Sequence, residues 1–319
     1  MLERTIKQVI GKKIKQWTDT IPNLEVKKAI EKDLIITGGC FTSMINNETP
    51  KDFDCYFRTK ETVIKVAEYY ASLWRSNHLG TELKVVDCDK YINSNGELIL
   101  SENSYGVNPQ IDVHRVKLVI PSSGVEGDPE EVRASEELGT NKTIEEIDEI
   151  KADEIINKEK QPYFPVFISS NAITLSNGIQ IVVRFYGEPA EIHDTYDFVH
   201  TKAYWDNGTR TLDIPKEVYE HTVNKVLRYT GSKYPVCSIF RVRKFIERGW
   251  TINAGQLLKM CMQISQLDLT DISVLEDQLI GVDSSYFMML IEQFRQQKEK
   301  NPNFNLTSSY VMSIIDKIF

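Results

Sequence analysis

The stretch from Gly38 to Asp54 constrains this 319-residue chain more than any other. Leu34-Ile35-Ile36-Thr37 is a short apolar run that reads as a buried strand, and it runs straight into two glycines. Phe41 to Asn46 opens a short helix, Asn46 to Pro50 is a loop, and Lys51 to Phe57 alternates polar and apolar residues as a half-buried strand does. Asp52 and Asp54 stand two apart on that strand, so both project from one face while Phe53 turns into the core. Two like charges this close are unfavourable unless a cation lies beside them. Carboxylate oxygens are also the ligands that hard divalent ions prefer.

Each part of this pattern suits nucleotidyl transfer. The reaction attacks the α-phosphate of a nucleoside triphosphate and expels pyrophosphate, so charge builds on the attacking and leaving oxygens and divalent ions stabilise both ends. Asp52 and Asp54 are the expected Mg²⁺ or Mn²⁺ ligands. Gly38 and Gly39 carry no Cβ, so their N–H groups can approach a triphosphate closely, and Thr42 and Ser43 offer hydroxyls at the start of the next helix. Asp87-Cys88-Asp89 repeats the acidic spacing, but no glycine pair precedes it, and it reads as a surface strand end.

Around this centre, residues 3–18 and 24–30 predict helices, 61–75 another, and 83–86, 97–100 and 111–120 strands. Ala172 to Phe185 reads as a hairpin about Asn177-Gly178, Pro189 to His193 as a short helix and Tyr196 to His200 as a strand. From Lys216 the periodicity is helical to the end. Residues 121–161 hold no aromatics and more acids than bases, which predicts a solvated helix or a mobile insertion.

The net charge of −8 argues against a strongly basic, non-specific nucleic-acid binder, though it leaves room for a local basic groove. Apolar residues at 41% are ordinary for a globular chain. Five scattered cysteines without a C-x-x-C pair read as reduced thiols. No apolar run resembles a signal peptide or a membrane span, so the expected location is cytoplasmic, with no membrane partner.

Gly38-Gly39-Cys40-Phe41-Thr42-Ser43-Met44-Ile45 through Pro50-Lys51-Asp52-Phe53-Asp54 resembles the first motif of the polymerase-β-like nucleotidyltransferases. Its spacing is similar to that of the bacterial poly(A) polymerase and class II CCA-adding branch, G-G-x-V-R-D-x-L-L-G followed by P-x-D-x-D. Thr42 and Ser43 stand where that branch has Arg-Asp. Tyr196-Asp197-Phe198 with Trp205-Asp206-Asn207-Gly208 resembles a degraded R-R-D-F-T-I-N-A motif and its D-x-x-G turn, without the paired arginines. Phe240-Arg241-Val242-Arg243-Lys244-Phe245 resembles the neck pattern L-R-A-x-R-F, which makes Arg241 a candidate triphosphate contact. The branch's base-selecting E-D-x-x-R should fall at Tyr234 to Ser238 and is missing.

The resemblance implies a third carboxylate that completes the metal site and acts as general base. Asp197 is favoured for it and Asp112 is the rival. It also implies an α/β (α+β) nucleotidyltransferase domain with a small mixed sheet at 1–213, interrupted by an insertion at about 59–165, and then an all-helical domain at 214–319. The implied activity moves a nucleoside monophosphate from ATP or another NTP to an acceptor hydroxyl. An RNA 3′ end, of tRNA or another RNA, is the acceptor the resemblance suggests. The competing expectation is a protein of this fold that binds nucleotide or a partner and has lost catalysis.

Overall fold

The computed structural model describes residues 2–78, 82–99, 107, 112–119, 125–127, 163–279, 285–301, 304 and 306–318. The chain opens with α1 (Glu3–Thr18), which buries Ile6, Ile10, Ile14 and Trp17 along one stripe. Asn23 starts α2 (Leu24–Asp33) by accepting from the Glu25 and Val26 amides at 3.0 and 3.2 Å. The chain then enters β1 (Leu34–Thr37) directly, turns through Gly38 into α3 (Gly39–Ile45), and returns as β2 (Phe53–Phe57). Thr59 caps α4 (Lys60–Asn77), which buries Val63, Val66, Ala67, Tyr70, Ala71 and Trp74. The indole of Trp17 donates to the Tyr70 hydroxyl at 2.6 Å and ties α1 to α4.

The remaining strands are β3 (Lys84–Asp87), β4 (Val116–Val119), β5 (Val125–Gly127), β6 (Pro165–Ser169), β7 (Ala172–Leu175), β8 (Ile179–Tyr186), β9 (Tyr204–Asp206) and β10 (Thr211–Asp213). Eight of the ten form one mixed sheet in the order β10-β9-β1-β2-β8-β7-β6-β5, while β3 and β4 pair separately. Every pairing in the large sheet is antiparallel except β2 with β8. The expected hairpin is β7–β8: Leu175 pairs with Ile179 across the three residues Ser176, Asn177 and Gly178, and Asn177 and Gly178 have φ of 66° and 68°, the left-handed region that Asn and Gly enter most readily.

Tyr196 to His200 is no strand: Phe198 makes one bridge to Tyr229, and Val199–Thr201 is a turn of 3₁₀ helix. Phe198, Val199 and His200 are all buried, so successive side chains have no solvent face to alternate with. Residues 97–99 make only a bridge, Ile92 to Leu98, at the foot of an Asn93 turn. The strand expected over 111–120 shortens to β4, and of the acidic stretch 121–161 all but β5 lies outside the described residues.

The chain divides into two compact units, residues 1–192 with 203–214, and 193–202 with 215–319. The second is helical: α5 (Pro189–His193) leads into it, followed by α6 (Lys216–Val223), α7 (Pro235–Glu247), α8 (Ala254–Ile264), α9 (Ile272–Leu279), α10 (Ser285–Lys300) and α11 (Ser308–Ile318). One of its cores joins Phe198, Leu227, Tyr229, Val242, Trp250 and Met260, and another joins Leu275, Ile291, Phe294, Leu306 and Ile314.

Candidate active site

The glycine turn and the acidic pair meet at one end of the large sheet. Thr37, the last residue of β1, pairs with Asp54 on β2, so the turn at Gly38 begins beside the carboxylates. Gly38 has φ 93° and ψ −151°, a conformation in which a Cβ would clash with its own backbone, and this fixes glycine there. Gly39 is exposed, and a Cβ placed on it would meet no atom within 4 Å, so the space above the turn is open. Cys40 in the first turn of α3 feels both acids: burial first, and then the charges of Asp54 and Asp52, push its thiol well up.

The strand register aligns side chains across the sheet. Tyr204, Thr37, Asp54, Gln180 and Thr174 are successive partners on β9, β1, β2, β8 and β7, and therefore share one face. Asp52, one residue before β2, falls on that face by alternation. Asp54 is half-buried and Asp52 exposed. The opposite face carries Phe53, Cys55 and Phe57, buried beside Ile179, Ile181 and Val183.

The Asn177-Gly178 turn fixes the start of β2. The Phe53 amide donates to the Gly178 carbonyl at 2.9 Å, and a Cβ on Gly178 would lie 2.4 Å from the Lys51 carbonyl oxygen. Lys13 reaches from α1 to donate to the Asn177 carbonyl, with its ammonium 5.3 Å from the centre of the Phe53 ring and 5.5 Å from that of Tyr163. Burial lowers the Lys13 pKa, partly offset by Cys55. Helix, turn and acidic strand are thus locked together.

Thr42 and Ser43 are only 7% and 8% exposed, so little of either side chain is within reach of a ligand. Asp197 and Arg241 come together in the second unit, where the guanidinium donates to the buried carboxylate at 2.7 Å. Asp112 is buried in the first unit, with the Lys117 ammonium at 3.3 Å and the Arg115 guanidinium at 3.8 Å. Both acids considered for a third carboxylate therefore have cationic partners. Asp87 and Asp89 share Lys60, at 3.1 and 2.9 Å. In the Trp205-Asp206-Asn207-Gly208 patch, Asp206 accepts from the Gly208 and Thr209 amides, and Asn207 donates to the Glu31 carbonyl.

Gln180 belongs to none of the motifs above. It is the lone polar residue of the run Ile179 to Val183, the one signal that marks it. As the parallel partner of Asp54, it puts an amide where a further acid would have joined the pair. Among the described residues, no three His, Cys, Asp or Glu side chains are close enough to share a metal ion. Two carboxylates still suit Mg²⁺, which is commonly held by one or two of them with substrate phosphates and water completing the shell.

Solved structures similar in fold are a CCA-adding enzyme of Thermotoga maritima complexed with tRNA and another CCA-adding enzyme without ligand. Identities are 11% and 13%, each with a TM-score of 0.37, covering 93% and 90% of this chain and 58% and 52% of theirs. A curated relative, Gabija anti-defense 2 of Bacillus phage SPbetaL7, is 23% identical over 136 residues, 42% of this chain. That match spans about a third (32%) of the relative's length. The profile of Gabija anti-defense 2 family proteins matches residues 8–225, a span that takes in the glycine turn, both carboxylates and Asp197. On a match of that extent, the chain belongs to the Gabija anti-defense 2 family.

Proposed function

We propose that the chain is a metal-dependent nucleotidyltransferase, and that its activity serves the countering of Gabija defence named in its family. The observation that carries the reading is the register of Asp54 against Thr37, which sets two carboxylates on one sheet face beside an open glycine turn. Asp52 and Asp54 would hold the divalent ion, which when bound neutralises charge on the phosphates and on the attacking oxygen. The backbone at Gly38-Gly39 leaves room for a triphosphate to lie against it. An acceptor hydroxyl oxygen bonds to the α-phosphorus, the bond from that phosphorus to the bridging oxygen breaks, pyrophosphate leaves, and the hydroxyl proton passes to solvent.

A second reading has its own observation. Gln180 beside Asp54 cannot take up a proton or contribute charge, and no third acid joins the pair among the described residues. This favours a protein that binds metal–nucleotide without turning it over.

Pyrophosphate release from each NTP, measured with Mg²⁺ and with Mn²⁺, separates the two. The first reading expects release by the wild type that falls at least about 100-fold in Asp54→Ala, the scale on which one charge-stabilising group acts. Nucleotide binding without pyrophosphate, across RNA, protein and small-molecule acceptors, would replace it with the second.

A further inference from the structure

We infer that the outer face of α1 docks the phosphate backbone of a nucleic acid. This goes beyond the proposed transfer activity and does not rest on it. The helix carries Arg4, Lys7, Lys12, Lys13 and Lys15 against Glu3 alone, five positive charges less one negative, in a chain whose net charge is −8. At 100° per residue, Arg4, Lys12 and Lys15 fall on the side away from the buried Ile6, Ile10, Ile14 and Trp17, Lys7 stands at the edge of that side next to Ile14, and all four are exposed. No ion pair among the described residues engages these four. Asp19, whose charge Lys15 feels, is itself bonded to Lys27 at 2.9 Å.

Three features point to phosphate over a protein surface. From Arg4 to Lys15 the face runs about 16 Å, over which one strand of a duplex presents about five phosphates. Between the cations lie Thr5, Gln8, Gly11 and Gln16, with no aromatic or large apolar anchor of the kind a protein interface is built around. With nothing to stack on a base or read its edge, recognition is by charge and independent of sequence. The face also belongs to the element that holds the acidic strand, because Lys13 on the same helix bonds the turn beside Asp52.

The test is anisotropy of short labelled single-stranded RNA and of duplex DNA, titrated with the full chain across a salt series. Poly-L-glutamate serves as the acidic-protein arm. If the four cations each neutralise one phosphate, affinity falls roughly 50- to 150-fold between about 50 and 200 mM salt. Replacing Arg4, Lys7, Lys12 and Lys15 together with Gln should weaken binding at least tenfold at low salt and flatten the salt dependence. The pair Lys12→Gln with Lys15→Gln should remove about half of the slope. Circular dichroism checks that these exposed replacements leave the fold unchanged. The RNA and DNA arms decide which nucleic acid is preferred. The inference is overturned by absence of nucleic-acid binding at about 50 mM salt, by equal binding of the fourfold variant, or by poly-glutamate binding as tight as that of either nucleic acid. Pyrophosphate release is followed on the same samples. Salt-dependent binding without pyrophosphate supports this surface and removes the transfer reading, whereas pyrophosphate release without nucleic-acid binding overturns the surface alone.

Discussion

At the scale of single residues, the site depends on what stands beside Asp54. Its partners in register are a threonine and a glutamine, both uncharged, so the acidic pair has only two negative charges with which to attract a cation. Gln180→Glu would place a third carboxylate on the same sheet face. The expected outcome is Mn²⁺ binding about tenfold tighter, the scale at which single supporting groups change metal affinity, read by electron paramagnetic resonance titration. No change would mean that side chain 180 does not face the ion. His200 gives a residue-scale prediction in the second unit. Burial pushes its pKa down to about 3, with the charges of His221 and Arg248 adding to the effect, so the folded protein holds the ring neutral. The unfolded chain takes up a proton below its ordinary value of 6.5, and the folded chain does not until about pH 3. The contribution is therefore whole above pH 6.5 and drains away as the pH falls toward 3. His200→Phe, which fits among Phe198, Phe245 and Trp250, should lose less melting temperature between neutral and mildly acidic pH than the wild type does.

At the scale of elements, the β7–β8 turn is the part that positions the acids. Gly178 needs its φ of 68° for the hairpin and has the Lys51 carbonyl pressed against it. Gly178→Ala should cost about 1–3 kcal/mol in chemical denaturation. Because the clash falls on Lys51, next to Asp52, it should also weaken Mn²⁺ binding under conditions where the chain is still folded. A variant that loses stability but binds Mn²⁺ as before would show that the turn is scaffold only. The periodicities of α1, α4 and this hairpin were legible because each element meets solvent on one side and core on the other, which leaves a repeat in the sequence. Residues 197–200 left no such repeat, because all four are buried, with Phe198 in the aromatic cluster of the second unit.

At the scale of the whole molecule, the proposed metal site stands at the open end of a sheet that is buried behind it. Asp52 is exposed at the end of a strand, whereas Ile35 and Tyr56 farther along the same face, and Phe53, Cys55 and Phe57 on the opposite one, are buried. Removing divalent ions with EDTA should abolish pyrophosphate release while leaving the far-ultraviolet dichroism and the melting temperature within a degree or two, and Mg²⁺ or Mn²⁺ should restore activity. A large loss of melting temperature on chelation would mean that metal supports the fold itself. Four of the cysteines, Cys40, Cys55, Cys88 and Cys237, are free thiols buried in the interior.

The local devices are written along the chain: a strand followed at once by a glycine in a conformation closed to other residues, an acid pair alternating with a buried phenylalanine, and an Asn-Gly hairpin. These follow from backbone sterics and from period-two alternation, which act between neighbours along the chain. Packing across the fold is what lays β8 parallel to β2 and so sets Gln180 next to Asp54, brings Lys13 of the first helix to the turn beside Asp52, and gives Asp197 and Asp112 their cationic neighbours. Those facts depend on contacts between residues far apart in sequence. Such contacts are selected by which faces can be buried together, and no repeat along the chain encodes that choice.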